Sequence, residues 1–353
     1  MPTACINQPD ARIHLHGERL EIRARNPENS EEQTLREIPI RDLDRLVFME
    51  GVSITSQALA ELLRAGIPVS LIGWNGKYLG GFLPATNAHG AARLRQYERT
   101  RDDSFVRVLA RKVLHAKLYN QRRVLQRLLA SRKSEPTLEG AIPEISIVSE
   151  LDSSQKAITW LDGFFASMEQ ADTLDELRGY EGAATARYFQ SWASFLPDEF
   201  PFERRSTRPP LNAVNACISF AATILYSECV AFLHSHGLDP SLGLLHRTED
   251  GRWSLALDLI EPFRPCIGEA LTLDLFSHRI LNKDHFESRD GGVFLNEEGR
   301  KKFFLQYERR MERQFLSECV EHRTTLRQQL EHQAVQFKTA LSEMDRFQPF
   351  LMN

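Results

Sequence analysis

The chain has 353 residues, of which 42% are hydrophobic and 26% charged, and its formal net charge is −4. This composition is that of a globular protein long enough for two domains, without internal repeats or low-complexity tracts. No apolar run approaches the roughly 20 residues that span a bilayer, and the first residues lack the basic and apolar regions of a signal peptide, so we expect neither a membrane protein nor a secreted one.

Five cysteines are scattered along the chain, and no two of them have the C-x-x-C spacing of a zinc or redox motif. An odd number of isolated cysteines favours reduced thiols over disulfides or structural zinc. We therefore expect a cytoplasmic protein in a reducing compartment. The cysteines are Cys5, Cys217, Cys229, Cys266 and Cys319.

Residues 11–84 have the pattern of a small β-sheet. Apolar and polar residues alternate on either side of Gly17, which is typical of two half-buried strands joined by a turn. The short apolar runs 45–49 and 68–72 predict two further strands. Together these segments indicate that the chain begins with a strand-rich region.

The segment SQALAELLRAGI, between the last two predicted strands, has apolar residues at helical spacing. Gly66 stands where the C-cap of this helix is expected. Farther on, Asn75-Gly76 is a strong hairpin signal. The first region is therefore predicted to be a small sheet domain with one helix, covering residues 1–84.

The sequence pattern changes after Pro84. Residues 85–92 are small and polar, as in a linker, and from residue 93 most of the chain has helical periodicity, apart from a polar, turn-rich excursion at 131–156. The predicted helices include 157–168, 180–195, 211–236, 254–281 and 300–343. We predict a two-domain α+β fold, with an N-terminal β-domain (1–84), a linker (85–92) and a larger all-α catalytic domain (93–353).

Eleven arginines and lysines lie between residues 91 and 127, against three acidic residues. A locally basic segment in a mildly acidic chain can form one surface that attracts polyanions. The alternative is an ordinary solvated helix face without a ligand. A second basic run in the last predicted helix comprises Arg300, Lys301, Lys302, Arg309, Arg310 and Arg313.

Two carboxylates interrupt the apolar segment SLALDLIEPFRP, which begins at Ser254. Asp258 and Glu261 are three residues apart and would share a helix face, where they repel each other unless a cation lies between them. Pro262 has no N–H, so the helix should kink or end there, with Arg264 nearby. Oxygen ligands of this kind suit Mg²⁺ or Mn²⁺.

His246 and Glu181 are two further candidates. His246 precedes a turn before the same helix, and a hairpin-like return could bring its imidazole beside Glu261 as a metal ligand; a purely structural histidine is the alternative. Glu181, in GYEGAATARYF, precedes small residues that let another backbone approach closely. A single glutamate at a helix start is, however, usually a capping or dipole residue.

Several sequence segments together resemble a known family. GYEGAATARYF, PLNAVNACISFAATILYSECV and GLLHRTEDGRWSLALDLIEPFRP are similar to the CRISPR-associated spacer-acquisition integrases, the first of the two adaptation proteins found across CRISPR systems. The phrases HAKLYNQRRVL and GGVFLNEEGRKKFFLQYERRM and the β-domain also resemble this family. The resemblance runs from Ile13 to Phe315, and the histidine followed by D-L-x-E-P-F-R-P is its most specific part.

The resemblance implies a metal-dependent DNA integrase and endonuclease of antiviral defence. The implied reaction is attack by the 3′-hydroxyl of a DNA fragment on a phosphodiester at the edge of a CRISPR repeat. The implied cofactor is Mg²⁺ or Mn²⁺. The implied site residues are Glu181, His246 and Glu261 as catalytic metal ligands, Asp258 as a further acid near the metal, and Arg264 as a phosphate and DNA contact.

The same resemblance implies partners and a location. The DNA partners are the double-stranded prespacer and the CRISPR repeat. The protein partners are a second copy, joined mainly through the β-domain, and the small second adaptation protein, in a heterohexamer where two dimers flank a dimer of that protein. The implied location is the prokaryotic cytoplasm, with no membrane partner.

Two other interpretations of the sequence stay open. The first is a metal-dependent, structure-specific DNA nuclease that acts in DNA repair, with hydrolysis at the same site as its true reaction. The second is a non-catalytic DNA-binding scaffold whose carboxylates are only salt-bridged. A strand-transfer assay separates the first from an integrase, and metal binding separates the second.

Overall fold

The computed structural model describes residues 3–8, 10–25, 31–85, 88–134, 144–317 and 321–353. The chain divides into two compact units, Met1–Gln96 with Thr223–Pro240, and Tyr97–Ala222 with Ser241–Asn353. The domain boundaries 1–84, 85–92 and 93–353 stay a prediction, and residues 86 and 87 of the proposed linker lie outside the described residues. Cys5, Cys217, Cys229 and Cys266 are reduced thiols, and Cys319 lies outside the described residues.

The first unit contains two four-stranded sheets, one with the order β1-β5-β7-β8 and the other with the order β4-β3-β2-β6. Strands β1, β5 and β7 are parallel, and β8 is antiparallel to β7. The strands are β1 Thr3–Ile6, β2 Arg12–His16, β3 Arg19–Arg25, β4 Glu32–Pro39, β5 Arg45–Met49, β6 Ser53–Ile54, β7 Val69–Ile72 and β8 Tyr78–Phe82.

The alternation around Gly17 forms the antiparallel hairpin of β2 and β3, as predicted. Ile13 faces Ile22 across the two strands, and both side chains are buried in the core of this unit. Because side chains alternate along a strand, the polar neighbours of these residues face away from the core. Gly17 has φ +59°, a left-handed conformation that glycine adopts at little cost in this tight turn.

Helix α1 (Ser56–Arg64) lies where the helical spacing predicts it. The side chain of Thr55 accepts a hydrogen bond from the N–H of Ala58 and caps its start. Gly66 follows the helix with φ +79°, as expected for a C-cap glycine. The hairpin predicted at Asn75-Gly76 joins β7 to β8, so the local sequence signals of this region are confirmed.

The rest of the chain is mostly helical, as predicted. The long helix α3 packs against α4, α5 and the turn that follows α7, and so lies at the centre of the second unit. The helices are α2 Gly90–Arg99, α3 Asp103–Ser134, α4 Glu144–Glu169, α5 Leu174–Trp192, α6 Ala213–Ser235, α7 Ser254–Ile260, α8 Ala270–Ser277, α9 Glu297–Glu312 and α10 Leu326–Ala340.

The expectation of an all-α region is wrong in two places. Short hairpins follow α8 and α9, formed by β9 (Phe286–Arg289) with β10 (Gly292–Leu295) and by β11 (Phe315–Ser317) with β12 (His322–Thr324). The helix predicted for 300–343 is therefore two helices, because a capping box at Thr325 starts α10 anew.

The polar excursion predicted at 131–156 is also corrected, because α3 extends to Ser134 and residues 144–156 form the start of α4. Residues 135–143, between these helices, lie outside the described residues.

Helix α6 corrects the expectation that no apolar run is long enough to cross a membrane. Among the helices that the structure describes, α6 is the only one that is long and apolar enough to cross a membrane, and its most apolar stretch has a mean hydropathy of 1.8. Of that stretch, 72% is buried inside the protein. A core helix of a globular protein can have the same length and hydropathy, so α6 is weak evidence for a membrane span.

Candidate active site

Pro262 breaks the helix predicted for residues 254–281. α7 ends one residue before Glu261, and a 3₁₀ turn at Glu261–Phe263 and a π-helix at Pro265–Glu269 separate it from α8. Proline supplies no N–H to the helical ladder, so the regular hydrogen bonds cannot continue through this point. The break places Glu261 at a helix end, where its carboxylate meets α3.

Glu261 is 3% exposed and forms ion pairs with two cations. Its Oε1 lies 2.7 Å from Nη1 of Arg264, and its Oε2 lies 2.6 Å from Nζ of Lys117. Burial alone would raise the pKa of Glu261, but the charges of Arg264, Lys117 and His246 outweigh it and lower that pKa to about 2. Glu261 is therefore an ionised carboxylate at neutral pH.

Glu181, on α5, contacts the same lysine as Glu261, Lys117. The capping box of this helix is formed by Thr173 and Glu176, so Glu181 lies in the helix interior and is not the cap or dipole residue that its sequence position also allowed. Its Oε1 forms an ion pair with the ammonium of Lys117 and accepts a hydrogen bond from Thr185 Oγ1 at 3.3 Å. Two carboxylates from separate elements therefore meet at one cation.

Lys117 bridges the two glutamates from the buried face of α3. It is 4% exposed and lies one turn after Val113 and Leu114, which are fully buried. Burial would lower the pKa of Lys117, but the charges of Glu261 and Glu181 raise it. The side chain is therefore a charged ammonium inside the protein, held by the two carboxylates.

His246 is fixed by Asp258, one turn before Glu261. Both its backbone N–H, at 3.0 Å, and its ring Nδ1, at 2.6 Å, contact Oδ1 of Asp258, while the N–H of Leu244 donates to Oδ2 at 2.5 Å. A carboxylate oxygen accepts hydrogen bonds, so Nδ1 of His246 carries a proton, and Nε2 has a free lone pair whenever the ring is neutral. Asp258 is fully buried, and these donors stabilise it there.

The loop that carries His246 is closely packed against the start of α7. A side chain at Gly243 would bring its Cβ within 2.2 Å of the carbonyl oxygen of His246 and 2.7 Å of Ser254 Cβ, so only glycine fits this position. Ser254 Oγ donates to the carbonyl of Arg247 at 2.7 Å. The hairpin-like return predicted for this segment therefore exists, and it is rigidly held.

The predicted site residues lie in one region of the second unit, but the contacts of Asp258 differ from the sequence interpretation. Asp258 and Glu261 do not face a shared cation, because Asp258 binds His246 and Leu244 instead. His246 lies close enough to Glu261 for the positive charge of a protonated ring to lower the pKa of that carboxyl. Arg264 pairs with Glu261 and keeps 26% of its side chain exposed, so it can also reach a phosphate.

Lys117 is the residue that the sequence interpretation missed. It stands within the basic segment 91–127, where a lysine most often belongs to a solvated face. Its position on the buried face of α3 distinguishes it from a surface lysine. The residues one helical turn away on either side are all buried: Val113, Leu114 and Gln121. A lysine in the apolar stripe of an amphipathic helix needs an acidic partner inside the protein.

A divalent metal ion fits the chemistry of these side chains. Within the described ranges, no three histidine, cysteine or acidic side chains lie close enough together to hold an ion as they stand. The carboxylates of Glu181 and Glu261 nevertheless converge on one cation, the Lys117 ammonium, and the carboxylate of Glu261 is buried. Two carboxylates and the imidazole of His246 are donors that suit Mn²⁺ or Mg²⁺. The metal site itself stays a prediction.

Part of the basic segment 91–127 is used inside the protein. Arg111 and Lys112 donate to backbone carbonyls of neighbouring segments, and Lys117 is buried in the candidate site. These three side chains are committed to the fold. The segment is therefore not one continuous surface for a polyanion, and the remaining basic residues carry that expectation.

A cavity of about 500 Å³ in the second unit has an excess of positive charge. Arg127, Arg309, Arg310 and Arg313 line it, and the acidic side chain among its lining residues, Asp274, pairs with Arg310. Burial and the charges of neighbouring arginines, Arg310 and Arg313 among them, lower the pKa of Arg127. Guanidinium groups that repel one another in a cavity suit phosphate groups as ligands.

Comparisons with known proteins identify the family of this chain. The model of the family described as CRISPR associated protein Cas1 matches residues 4–309. The curated protein CRISPR-associated endonuclease Cas1 1 of Thermodesulfovibrio yellowstonii is 30% identical over 322 residues, which cover 89% of this chain and 92% of that protein.

Two solved structures share the fold. A casposase bound to integration product has a TM-score of 0.73 at 21% identity, covering 98% of this chain and 91% of that one. A chain of a partial Cas6-RT-Cas1–Cas2 complex has a TM-score of 0.73 at 24% identity, with both chains fully covered. The resemblance seen in the sequence is confirmed, and the chain belongs to the family of CRISPR-associated protein Cas1.

Proposed function

We propose that this protein is a divalent-metal-dependent DNA integrase and endonuclease that inserts DNA fragments into a CRISPR array. The observation that carries the proposal is the convergence of Glu181 and Glu261 on one cation, beside a histidine whose tautomer Asp258 fixes. The relative named an endonuclease and the casposase named with its integration product support the same class of reaction.

In this proposal Glu181, Glu261 and Nε2 of His246 would hold Mn²⁺ or Mg²⁺. When bound, the ion would act as a Lewis acid on the phosphate and offset the charge that develops there. Asp258 keeps the proton of His246 on Nδ1, away from the metal side. Arg264, partly exposed beside Glu261, would position a non-bridging phosphate oxygen.

The proposed reaction exchanges one phosphodiester bond for another. The 3′-hydroxyl oxygen of the incoming fragment bonds to phosphorus at the edge of the repeat, and the bond from that phosphorus to the 3′-oxygen of the repeat strand breaks. The attacking hydroxyl loses a proton and the leaving oxygen gains one. Water in place of the 3′-hydroxyl gives hydrolysis, which is the endonuclease reaction at the same site.

The proposed partners are double-stranded DNA, a second copy of the chain and the small second adaptation protein, Cas2. The partial Cas6-RT-Cas1–Cas2 complex contains a chain of the same fold, which supports Cas2 as a partner. The heterohexamer that the sequence resemblance implies is part of this proposal. The edge strand β8 carries Leu79 and Phe82, about half exposed, and such an apolar edge supports a dimer through the first unit. We place the assembly in the prokaryotic cytoplasm.

A strand-transfer assay tests the proposed function. Glu181→Gln, His246→Ala and Glu261→Gln should each reduce joining of a 3′-hydroxyl duplex to a CRISPR plasmid more than about 100-fold, because bound metal contributes several kcal/mol to such reactions. DNA binding should persist. The matched control is Glu249→Gln, an exposed acid paired with Arg252 in the turn before α7, which should leave joining unchanged.

The same assay separates the alternative nuclease. A repair nuclease would cleave branched DNA and give no joined product on a plasmid with a CRISPR array, with the second adaptation protein present. A wild-type protein that only hydrolyses under these conditions would replace the integrase with that nuclease. Wild-type joining without any divalent metal would refute the assignment of the metal ligands.

A further inference from the structure

Lys117 occupies an unusual position for a lysine in a DNA-acting protein. It is buried, and its ammonium contacts a carboxylate from α5 and another from the turn after α7. Three segments that are separate along the chain therefore meet at one charged nitrogen. A buried lysine is costly unless its charge is compensated, so the position is one that the fold must stabilise.

We propose that Lys117 is a built-in counter-ion that holds Glu181 and Glu261 together in the metal-free protein and competes with the divalent ion for them. This inference rests on the proposed function, because it takes the metal site as given. Binding of the ion would require the ammonium to leave its position between the two carboxylates. The lysine thereby opposes metal binding while it stabilises the empty site.

The charges around the site support this role. The carboxylates of Glu181 and Glu261 face the cations of Lys117 and Arg264, so this cluster of four side chains has no net charge without metal. A divalent ion added to this neutral cluster gives a net charge of two in a largely buried place, which is unfavourable. Without the lysine charge, the cluster is negative and its attraction for the ion is greater.

The geometry allows the ammonium to move. The lysine side chain has four methylene groups and three rotatable donors, so its charge can shift while its stem stays packed on α3. Glu181 keeps 29% of its side chain exposed, which gives a displaced ammonium a route toward solvent. Arg264 is anchored on the other oxygen of Glu261 and can hold that carboxylate in place during the exchange.

Calorimetric titration with Mn²⁺ tests the competition. Lys117→Met should bind Mn²⁺ at least about tenfold more tightly than the wild type, a change of about 1.4 kcal/mol. Lys117→Arg keeps the charge and should not gain affinity. The matched control is Lys112→Met on the same helix, whose lysine donates to the backbone carbonyls of Met344 and Phe347 and should leave Mn²⁺ affinity unchanged.

Thermal unfolding gives a second measurement that does not depend on activity. In EDTA, Lys117→Met should unfold at a lower temperature than the wild type, and saturating Mn²⁺ should close most of this gap. A variant that folds only with Mn²⁺ gives the same support. A variant that Mn²⁺ does not stabilise more than the wild type, or that stays unfolded with Mn²⁺, overturns the proposal.

The proposed metal site and the proposed role of Lys117 can be refuted separately. A wild-type protein that shows no Mn²⁺ or Mg²⁺ binding contradicts the proposed metal site itself. A wild type that binds Mn²⁺, with Lys117→Met equal or weaker in affinity, leaves the metal site intact and makes Lys117 an ordinary structural lysine.

Discussion

Asp258 shows how a single buried acid can control a ligand without touching the metal. Its carboxylate accepts hydrogen bonds from two backbone N–H groups and from the imidazole of His246. All three partners are donors, and an asparagine in its place would replace one of the two acceptor oxygens by an NH₂ group. If the NH₂ group faces Leu244, the N–H of Leu244 loses its acceptor. If it faces His246, the imidazole must change tautomer and loses the lone pair on Nε2.

We therefore predict that Asp258→Asn weakens Mn²⁺ binding by about 10- to 100-fold, as expected when the partner of a metal-ligating histidine is removed. The substitution should also lower the free energy of unfolding by about 1–3 kcal/mol, because a buried donor loses its acceptor. Calorimetry and urea denaturation measure the two effects.

The control for this prediction is Asp162→Asn. Asp162 is a half-exposed acid that pairs with Arg122 in the same unit, and its loss should change neither quantity appreciably. An Asp258→Asn protein with wild-type Mn²⁺ affinity would mean that His246 does not bind the metal.

At the scale of elements, the break at Pro262 leaves backbone carbonyls that the helical ladder no longer satisfies. Asn120 on α3 donates to the carbonyl of Pro262 at 2.7 Å and to that of Phe350 at 3.0 Å. Gln333 on α10 donates to the carbonyl of Leu259 at 2.5 Å and accepts from the N–H of Phe350 at 2.8 Å. Two amides thus tie the broken helix to the segment around Phe350.

Because both amides are buried, their removal leaves unsatisfied groups. Asn120→Ala and Gln333→Ala should each lower the free energy of unfolding by about 1–3 kcal/mol in chemical denaturation. Since both contact Phe350, the double variant should depart from additivity by about 0.5 kcal/mol or more. Gln336→Ala, at a partly exposed glutamine on the same helix, is the control. Strict additivity would mean that the two amides act independently.

The elements that the sequence predicts well depend on local signals. The β2–β3 hairpin follows from alternation around Gly17, and α1 follows from helical spacing that ends before Gly66. Strand β4 has no such signal, because most of its side chains are exposed and Ile38 is its buried apolar residue. The strands after α8 and α9 are too short for their periodicity to differ from that of a helix end.

The candidate site is predictable only in part. Glu181, His246 and Glu261 come from the resemblance to a family, and the kink at Pro262 comes from backbone chemistry. The pairing of Lys117 with Glu181, 64 residues away, depends on how α3 packs against α5. The register of Lys117 indicates that this lysine is buried, but it does not indicate which acidic residue is its partner.

Over the whole molecule, a net charge of −4 conceals a concentration of arginines around one cavity. An acidic chain repels DNA in general, so binding must occur where the local charge is reversed. The arginine-lined cavity of the second unit is such a place. If DNA phosphates bind there, the affinity for DNA must depend steeply on salt, because each neutralised phosphate releases counter-ions.

We predict that the double substitution of Arg309 and Arg313 by serine weakens binding of a DNA duplex and reduces the slope of log K against log salt by about two. Fluorescence anisotropy between low and moderate salt measures this slope. Arg64→Ser is the control, because Arg64 lies on α1 in the first unit and pairs with Glu61. An unchanged slope in the double variant would mean that DNA does not reach the cavity, and Arg95, an exposed arginine of α2, would then be the next residue to substitute.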